Sequence, residues 1–586
     1  MFLVTTANQS FWKTDEKILF LGEWCKLYKY KYAWSELDCE VHPYHWDDRE
    51  RFRKDYIYLN NLYERYLPLL SQLMNQIHGV DHSCRYWRMI VGPWFYYFIG
   101  IFFDRYLSIE SVGNKGEVTN VWLPPFEPEK YIPKNFSTFR DWNFGDDYNH
   151  YLFKQIIEAL GKIPSEIKTK HLSSYPQREF FKRKPSSSGR GKDLVRKILV
   201  ATGRLIPSKF NKVVFVNSFL NSKDLIRLQW ELGQLPFPCT PIVISEHKPI
   251  NWELRKRIVF SGEENAFEKL LLNKISQNIP SIYVEGYLEM SQKSLAAYPK
   301  HPQVIFTAAA LFGNEGCTFW AANEIERGAK LVISQHGGHY GNSLLSANES
   351  HEVSVCDLHF SWGWDDTNQP KTLAMPSGQL AGLMPKIKPN PSGKILWLGF
   401  TFPRYTCQLL SVPLSGQTVK FFKEQERFLN AVLPEVLEIL VRREFPIDFG
   451  WNEELRWGDI NPDLKVYCGS KTMYEQLNES RLCVGTSTST PDLETLSRNF
   501  PTITFFNPKL FELRKTAKPY FEDLRRVGIY HSTPESAAAK INEIYENPLS
   551  WWNSKEVQDA RKRFVYRFAR TSETWISEWK EVLSSI

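Results

Sequence analysis

The stretch Leu482-Cys483-Val484-Gly485-Thr486-Ser487-Thr488-Ser489-Thr490-Pro491-Asp492-Leu493-Glu494-Thr495-Leu496 changes character twice. A short apolar run enters a loop of five successive hydroxyl residues, and a segment with helical spacing leaves it. An apolar run of this length, bounded by small polar residues and followed by a helix, reads as a buried parallel strand of a βα unit. Pro491 suits the first turn of a helix, where a missing N–H costs nothing. Ser and Thr are ordinary N-caps, but five in a row exceed what one cap requires. Loop amides and a helix N-terminus point the positive ends of their dipoles at an anion. Thr486, Ser487, Thr488, Ser489 and Thr490 are therefore candidate phosphate ligands. Glu494, about one turn into the helix, is a candidate acceptor for ribose hydroxyls.

The same pattern recurs on both sides of this stretch. Upstream runs that end in polar residues are Phe2-Leu3-Val4, Ile18 to Leu21, Val213 to Val216, Ile282-Tyr283-Val284, Val304-Ile305-Phe306 and Leu331-Val332-Ile333. Ile395 to Leu398, Phe445 to Phe449, Leu464 to Tyr467 and Thr502 to Phe505 form a second series, with a helix expected over Lys423 to Arg443. Serial βα units predict an α/β chain with parallel sheets. Residues 386–550 are expected to form a Rossmann-like nucleotide-donor domain, following the Pro/Gly-bearing stretch Pro385 to Gly393. Residues 1–385 are expected to form a Rossmann-like acceptor-side domain with a helical insertion over about 50–210, and 551–586 to form terminal helices. Ligands of open parallel sheets bind beyond the carboxyl ends of the strands. Thr5, Thr6, Glu23, Trp24, Asn217, Glu285, Gln335 and His336 are thus expected on one wall of a cleft. Gly399, Arg404 and the hydroxyl loop are expected on the other.

The loop Gln335-His336-Gly337-Gly338-His339-Tyr340-Gly341 follows one of the upstream runs. Glycines let a backbone come close to a ligand. Gln335, Gly337 and Gly338 are read as donor contacts, as is Arg404, whose guanidinium suits a phosphate. His336, with an ordinary pKa near neutrality, is read as a general acid at the leaving phosphate. Glu349, His351, Glu352 and Asp357 lie downstream. Glu349, together with Glu23 and Asp47 of the polar-aromatic stretch His42 to Arg49, is taken as a candidate base or nucleophile. A zinc site from His336 and His339 is not expected, since the glycines between them disfavour a helix to present both. No P-loop, GxGxxG, GxSxG elbow or strand-end DxD occurs, so no metal and no cofactor is expected.

The chain has 586 residues, a net charge of +7 and nine scattered cysteines without a CxxC pair. That argues against a disulfide framework and for reduced thiols in a cytoplasmic protein. Met89 to Phe103 is too short to span a bilayer and is read as a buried helix. Eleven basic and two acidic residues crowd Arg178 to Lys212. This is a solvated segment or a peripheral contact with the anionic inner-membrane surface. No nucleic-acid recognition motif accompanies it.

Phe2 to Ala7, Asp15 to Cys25, Tyr44-His45-Trp46-Asp47-Asp48-Arg49, Arg85 to Arg88 with Gly92-Pro93-Trp94, Gln335 to Gly341 and Asp357 to Trp364 resemble a transferase family found in bacterial O-antigen and surface-polysaccharide gene clusters. The carboxyl half is similar to capsule and Kdo- or sialic-acid-type glycosyltransferases, whose CMP-phosphate motif the hydroxyl loop resembles. These resemblances imply a GT-B-like fold of two Rossmann-like domains facing across a cleft. They imply a metal-independent glycosyltransferase of lipopolysaccharide or capsule assembly, with a nucleotide-sugar donor (CMP-linked favoured) and a glycan or lipid-linked acceptor. A CDP-polyol phosphotransferase of teichoic-acid type and a non-catalytic glycan-binding protein are the alternatives.

Overall fold

Among the residues described by the computed structural model, 1–169, 212–237, 239, 248–382, 387–467, 469 and 471–586, three sheets form and every strand pair within them is parallel. The first holds β1 (Phe2–Val4), β2 (Ile18–Phe20), β3 (Cys39–Val41), β4 (Asn120–Leu123) and β5 (Ser165–Ile167), in the order β3-β2-β1-β4-β5. The second holds β6 (Val213–Val216), β7 (Val304–Thr307), β8 (Lys330–Ser334), β9 (Leu358–Ser361) and β10 (Thr372–Ala374), paired in simple succession. The third holds β11 (Lys394–Leu398), β12 (Leu440–Arg443), β13 (Lys465–Tyr467), β14 (Ser480–Gly485), β15 (Thr502–Phe505) and β16 (Tyr530–His531), in the order β13-β12-β11-β14-β15-β16.

The α/β class with parallel sheets is what the apolar runs predict, and covering both faces explains why those runs do not alternate. The first 385 residues carry two sheets where one Rossmann-like unit was expected. Strand order reverses between β1 and β4 in the first sheet and between β11 and β14 in the third. At such a reversal the flanking loops leave toward opposite faces and open a crevice. The second sheet has no reversal. Its β8 loop and the loops after β11 and β14 meet across a cleft, in a GT-B-like arrangement.

The helical stretch after β3 is mainly the crossover to β4. Its first helix, Arg49–His78, starts under Asp48, whose carboxylate accepts from the amides of Glu50 and Arg51, and ends at Gly79 with φ of 64°. The helix Gly92–Lys115 is apolar nearly all round and buried along most of its length, the signature of a core helix. No helix among the described residues is long and apolar enough to cross a membrane.

Three local expectations are corrected. Ile282-Tyr283-Val284 is part of a short helix, Ser281–Val284, because a brief apolar run does not distinguish a strand from a buried turn of helix. Glu285 consequently pairs with Arg255 at 2.7 Å, away from the cleft. The expected helix over Lys423 to Arg443 is Gln417–Ala431, then the short Pro434–Ile439, and the strand begins at Leu440. Proline at position 434 opens a new first turn and cannot continue an old one. Phe445 to Phe449, interrupted by Pro446, is the loop after that strand. The eight described cysteines are free thiols. The basic stretch lies, Lys212 apart, outside the described residues.

The end of the chain crosses between halves. The helix Lys555–Phe568 buries Val557, Phe564 and Phe568 in the core of the third sheet. The helix Trp575–Ser585 returns to the second sheet, where Trp579 lies 5.0 Å from Phe306 and 5.3 Å from Phe360.

Candidate active site

A cavity of about 770 Å³ lies between the loop after β8 and the loops after β11 and β14. His336, Gly337 and His339 border it on one side, and Thr486 to Pro491 on the other. The two walls touch: the Gly338 amide donates to Thr490 Oγ1 at 3.0 Å. A Cβ on Gly338 would lie 2.5 Å from the backbone of Ser489, so only glycine permits this approach.

Each residue of the hydroxyl loop has a distinct place. Thr486 Oγ1 donates to the Leu398 carbonyl at 3.0 Å and ties β14 to the end of β11. Ser487 and Thr488 line the cavity, and among the described residues neither hydroxyl has a protein partner. Ser489 Oγ donates to Asp492 Oδ2 at 2.8 Å, and the Ser489 amide bonds the same oxygen, closing a capping box on the helix Thr490–Ser497. Burial pushes the Asp492 carboxyl up to about 7, against its hydrogen bonds with Ser489. Thr490 is the residue that meets the opposite wall.

Beyond these loops the cavity is lined by Leu398, Phe400, Phe445 and Met473, with the Phe400 and Phe445 rings 5.9 Å apart. Tilted 45° to each other, the two rings form an apolar patch beside an anion-ready loop. Arg140 and Arg443 are its lining cations.

The loop after β8 is held from behind. Gln335 is 1% exposed; its Oε1 accepts from the Trp362 amide at 2.9 Å and Trp364 Nε1 at 2.7 Å, and its Nε2 donates to the Gly337 carbonyl at 2.8 Å. It positions the loop and leaves no group for a donor. Glu349 accepts from the Gly341 amide at 2.9 Å and pairs with Arg514. It too is an anchor. Its neighbour Glu352 approaches the site instead: Oε1 is 3.5 Å from His336 Nδ1, and the Tyr340 hydroxyl is 3.5 Å from the same ring. Glu352 is 2% exposed, and burial raises its carboxyl well above the usual range. Burial lowers His336 to about 4, although a fifth of its side chain stays exposed. Burial so favours the neutral imidazole over the protonated general acid expected from an unperturbed histidine, and a neutral ring offers one hydrogen-bond donor and one acceptor.

Four other expected site residues are placed away from this cavity. Glu23 pairs with Lys26 at 2.9 Å in the turn after β2. Asp47 accepts from Lys420 at 2.7 Å and Gln417 at 3.2 Å, joining the first sheet's domain to the helix Gln417–Ala431. Glu494 accepts from the Tyr474 hydroxyl at 3.2 Å, beside Arg498, so the helix turns it away from the loop. Arg404 is 4% exposed and bonded to Asp146 at 2.6 Å and to the Phe449 carbonyl at 3.1 Å. A guanidinium so neutralised has little left for a phosphate. Glu352 was visible as a carboxylate three residues after Glu349. No spacing rule favours either, because positions three apart share a helix face.

Against models of known families, residues 1–583 match the LIC12162 family of transferases, and the chain belongs to that family. No curated protein matches it. Among solved structures, the chain is similar to MurG of Acinetobacter baumannii, with 11% identity and a TM-score of 0.31, covering 64% of this chain and 100% of that one. It is similar to the spinosyn rhamnosyltransferase SpnG complexed with spinosyn aglycone at the same identity, score and coverage.

Proposed function

We propose that this transferase binds a nucleotide-activated sugar in the cleft and passes its glycosyl group to a glycan or lipid-linked acceptor in surface-polysaccharide assembly. The observation that supports this most is the contact between Gly338 and Thr490, which brings a glycine loop and a hydroxyl loop together over one cavity. In this reading Ser487, Thr488 and the positive end of the helix Thr490–Ser497 hold the phosphate. The base packs against the Phe400 and Phe445 rings. The bond that breaks joins the anomeric carbon to a phosphate oxygen, and the charge left on that oxygen meets donors already fixed in place. His336, kept neutral by burial, takes the proton of the attacking acceptor hydroxyl, with Glu352 and Tyr340 orienting its ring.

A CMP-linked ulosonic acid is the first donor to test, on the likeness of the hydroxyl loop to a CMP-phosphate motif. The test is thermal unfolding with CMP, CDP, UDP and GDP, since a ligand selective for the native state raises its stability. A rise selective for CMP supports the ulosonic donor, and one for UDP or GDP a hexose donor. A rise selective for CDP favours polyol-phosphate transfer. No rise with any of the four overturns the reading.

A further inference from the structure

A second cavity, of about 580 Å³, lies at the carboxyl end of the first sheet. It is bordered by Ala7 to Ser10, which follow β1, and by Tyr131, which follows β4. This is the point where the strand order of that sheet reverses, the place where open parallel sheets receive ligands. Phe449, 4.9 Å from Phe144, borders both this cavity and the cleft, and the Asp146–Arg404 pair lines the same side of it.

Its chemistry is the reverse of the cleft's. Asp141, Asp146, Asp147 and Asp448 line it against only Lys29 and Arg404, and Arg404 is already neutralised by Asp146. Asp448 is engaged in its own turn, accepting from the amides of Gly450 at 2.8 Å and Asn452 at 3.1 Å. Asp147 has no hydrogen-bond partner among the described residues. Tyr30, Tyr131 and Trp142 supply ring surface. Carboxyl groups hydrogen-bond hydroxyl or ammonium groups, aromatic faces cover apolar C–H surface, and a surplus of acidic over basic side chains disfavours anions.

We propose that this cavity is a saccharide site for the acceptor, taking a sugar unit that is neutral or amine-bearing and not acidic. The acceptor role rests on the transferase reading above; the saccharide site does not. Asp147 fits such a contact: burial and the adjacent Asp146 push its carboxyl up to about 8, so near neutrality it both donates and accepts hydrogen bonds.

The experiment applies the full chain to an array of immobilised neutral, amine-bearing and uronic-acid oligosaccharides, and in parallel repeats the nucleotide melting series. Retention on neutral or amine-bearing probes is expected. Tyr30→Ala, at a ring 43% exposed and so free of the core, and Asp147→Ala, which removes both the donor and the acceptor, should each cut that retention at least fivefold and leave any nucleotide-induced rise in Tm in place. No retention, retention only on uronic-acid probes, or retention indifferent to both substitutions overturns the proposal. Retention that responds to both substitutions, in a chain whose Tm no nucleotide raises, supports the saccharide site and sinks the reading of the cleft alone.

Discussion

The first and third sheets share a topology and differ in what they offer at its reversal. After β11 and β14 the third sheet presents glycine, hydroxyls and the start of a helix, with Ser487 and Thr488 unengaged. After β1 and β4 the first sheet presents carboxylates and rings. The fold fixes where a ligand is received, and side chains decide its charge. The second sheet, without a reversal, contributes one loop to its neighbour's cavity.

The comparison breaks most severely at the Asp146–Arg404 pair, beside the Phe449 ring that borders both cavities. Asp146→Ala leaves the Arg404 guanidinium buried without a counter-charge, alongside a lost partner for the Tyr405 hydroxyl and the Ala7 amide. Removing one member of a buried pair costs about 3–5 kcal/mol. A loss of that size in chemical denaturation, with both ligand responses damaged together, is the expected outcome; a variant as stable as the parent would mean that the pair does not hold this junction together.

Next in size is Gly338→Ala, which drives a methyl into the Ser489 backbone and pushes the facing loops apart. Displacement of a reacting geometry by about 1 Å costs on the order of 100-fold in rate. Turnover should fall by that factor and the nucleotide-induced rise in Tm should vanish, while glycan retention persists. Loss of both would show that the two sites are not independent.

A smaller effect sharpens the assignment of the phosphate. Ser487→Ala and Thr488→Ala each remove a hydroxyl without a protein partner, so the fold loses little. A hydrogen bond to a charged group contributes about 1.5–3 kcal/mol, and nucleotide Kd by calorimetry should weaken at least tenfold in each.

The smallest expected effect depends on pH. Asp492, held near 7 by burial, is charged above that pH and mostly neutral below it. An anionic carboxylate beside the loop repels phosphate, so nucleotide affinity should fall several-fold as pH rises from about 6 to about 8. In Asp492→Asn the slope should flatten. Its own stability runs the same way: a carboxyl whose folded pKa is raised from 3.8 stabilises fully below that value and loses its contribution as pH climbs through about 7. An unchanged affinity slope in the variant would detach Asp492 from the phosphate site.

Much of this was legible in the chain itself. Leu482 to Leu496 predicts a strand, a loop and a helix, and all three are present because both faces of the strand are covered and Pro491 falls where a helix begins. The facing of the two loops was legible for the same reason, since strand ends fix where loops meet. The division of the first 385 residues into two sheets was not. β3 and β5 are short and partly or wholly exposed at sheet edges, so they lack the apolar run that marks a central strand. Side-chain roles were harder still. Gln335 and Arg404 follow strands as functional residues do, and Glu349 lies on the next helix, but each is bound by a partner elsewhere in the chain, Trp364, Asp146 and Arg514. Spacing cannot reveal such pairings.

The return of the last helix has a consequence for synthesis on the ribosome. Trp575, Ile576, Trp579 and Leu583 complete the core of the second sheet, yet they emerge about 200 residues after its final strand, β10. Until they emerge, the helix Ser222–Glu231 covers that face only in part, through Leu228, so the middle sheet gives nascent-chain chaperones a long time to act.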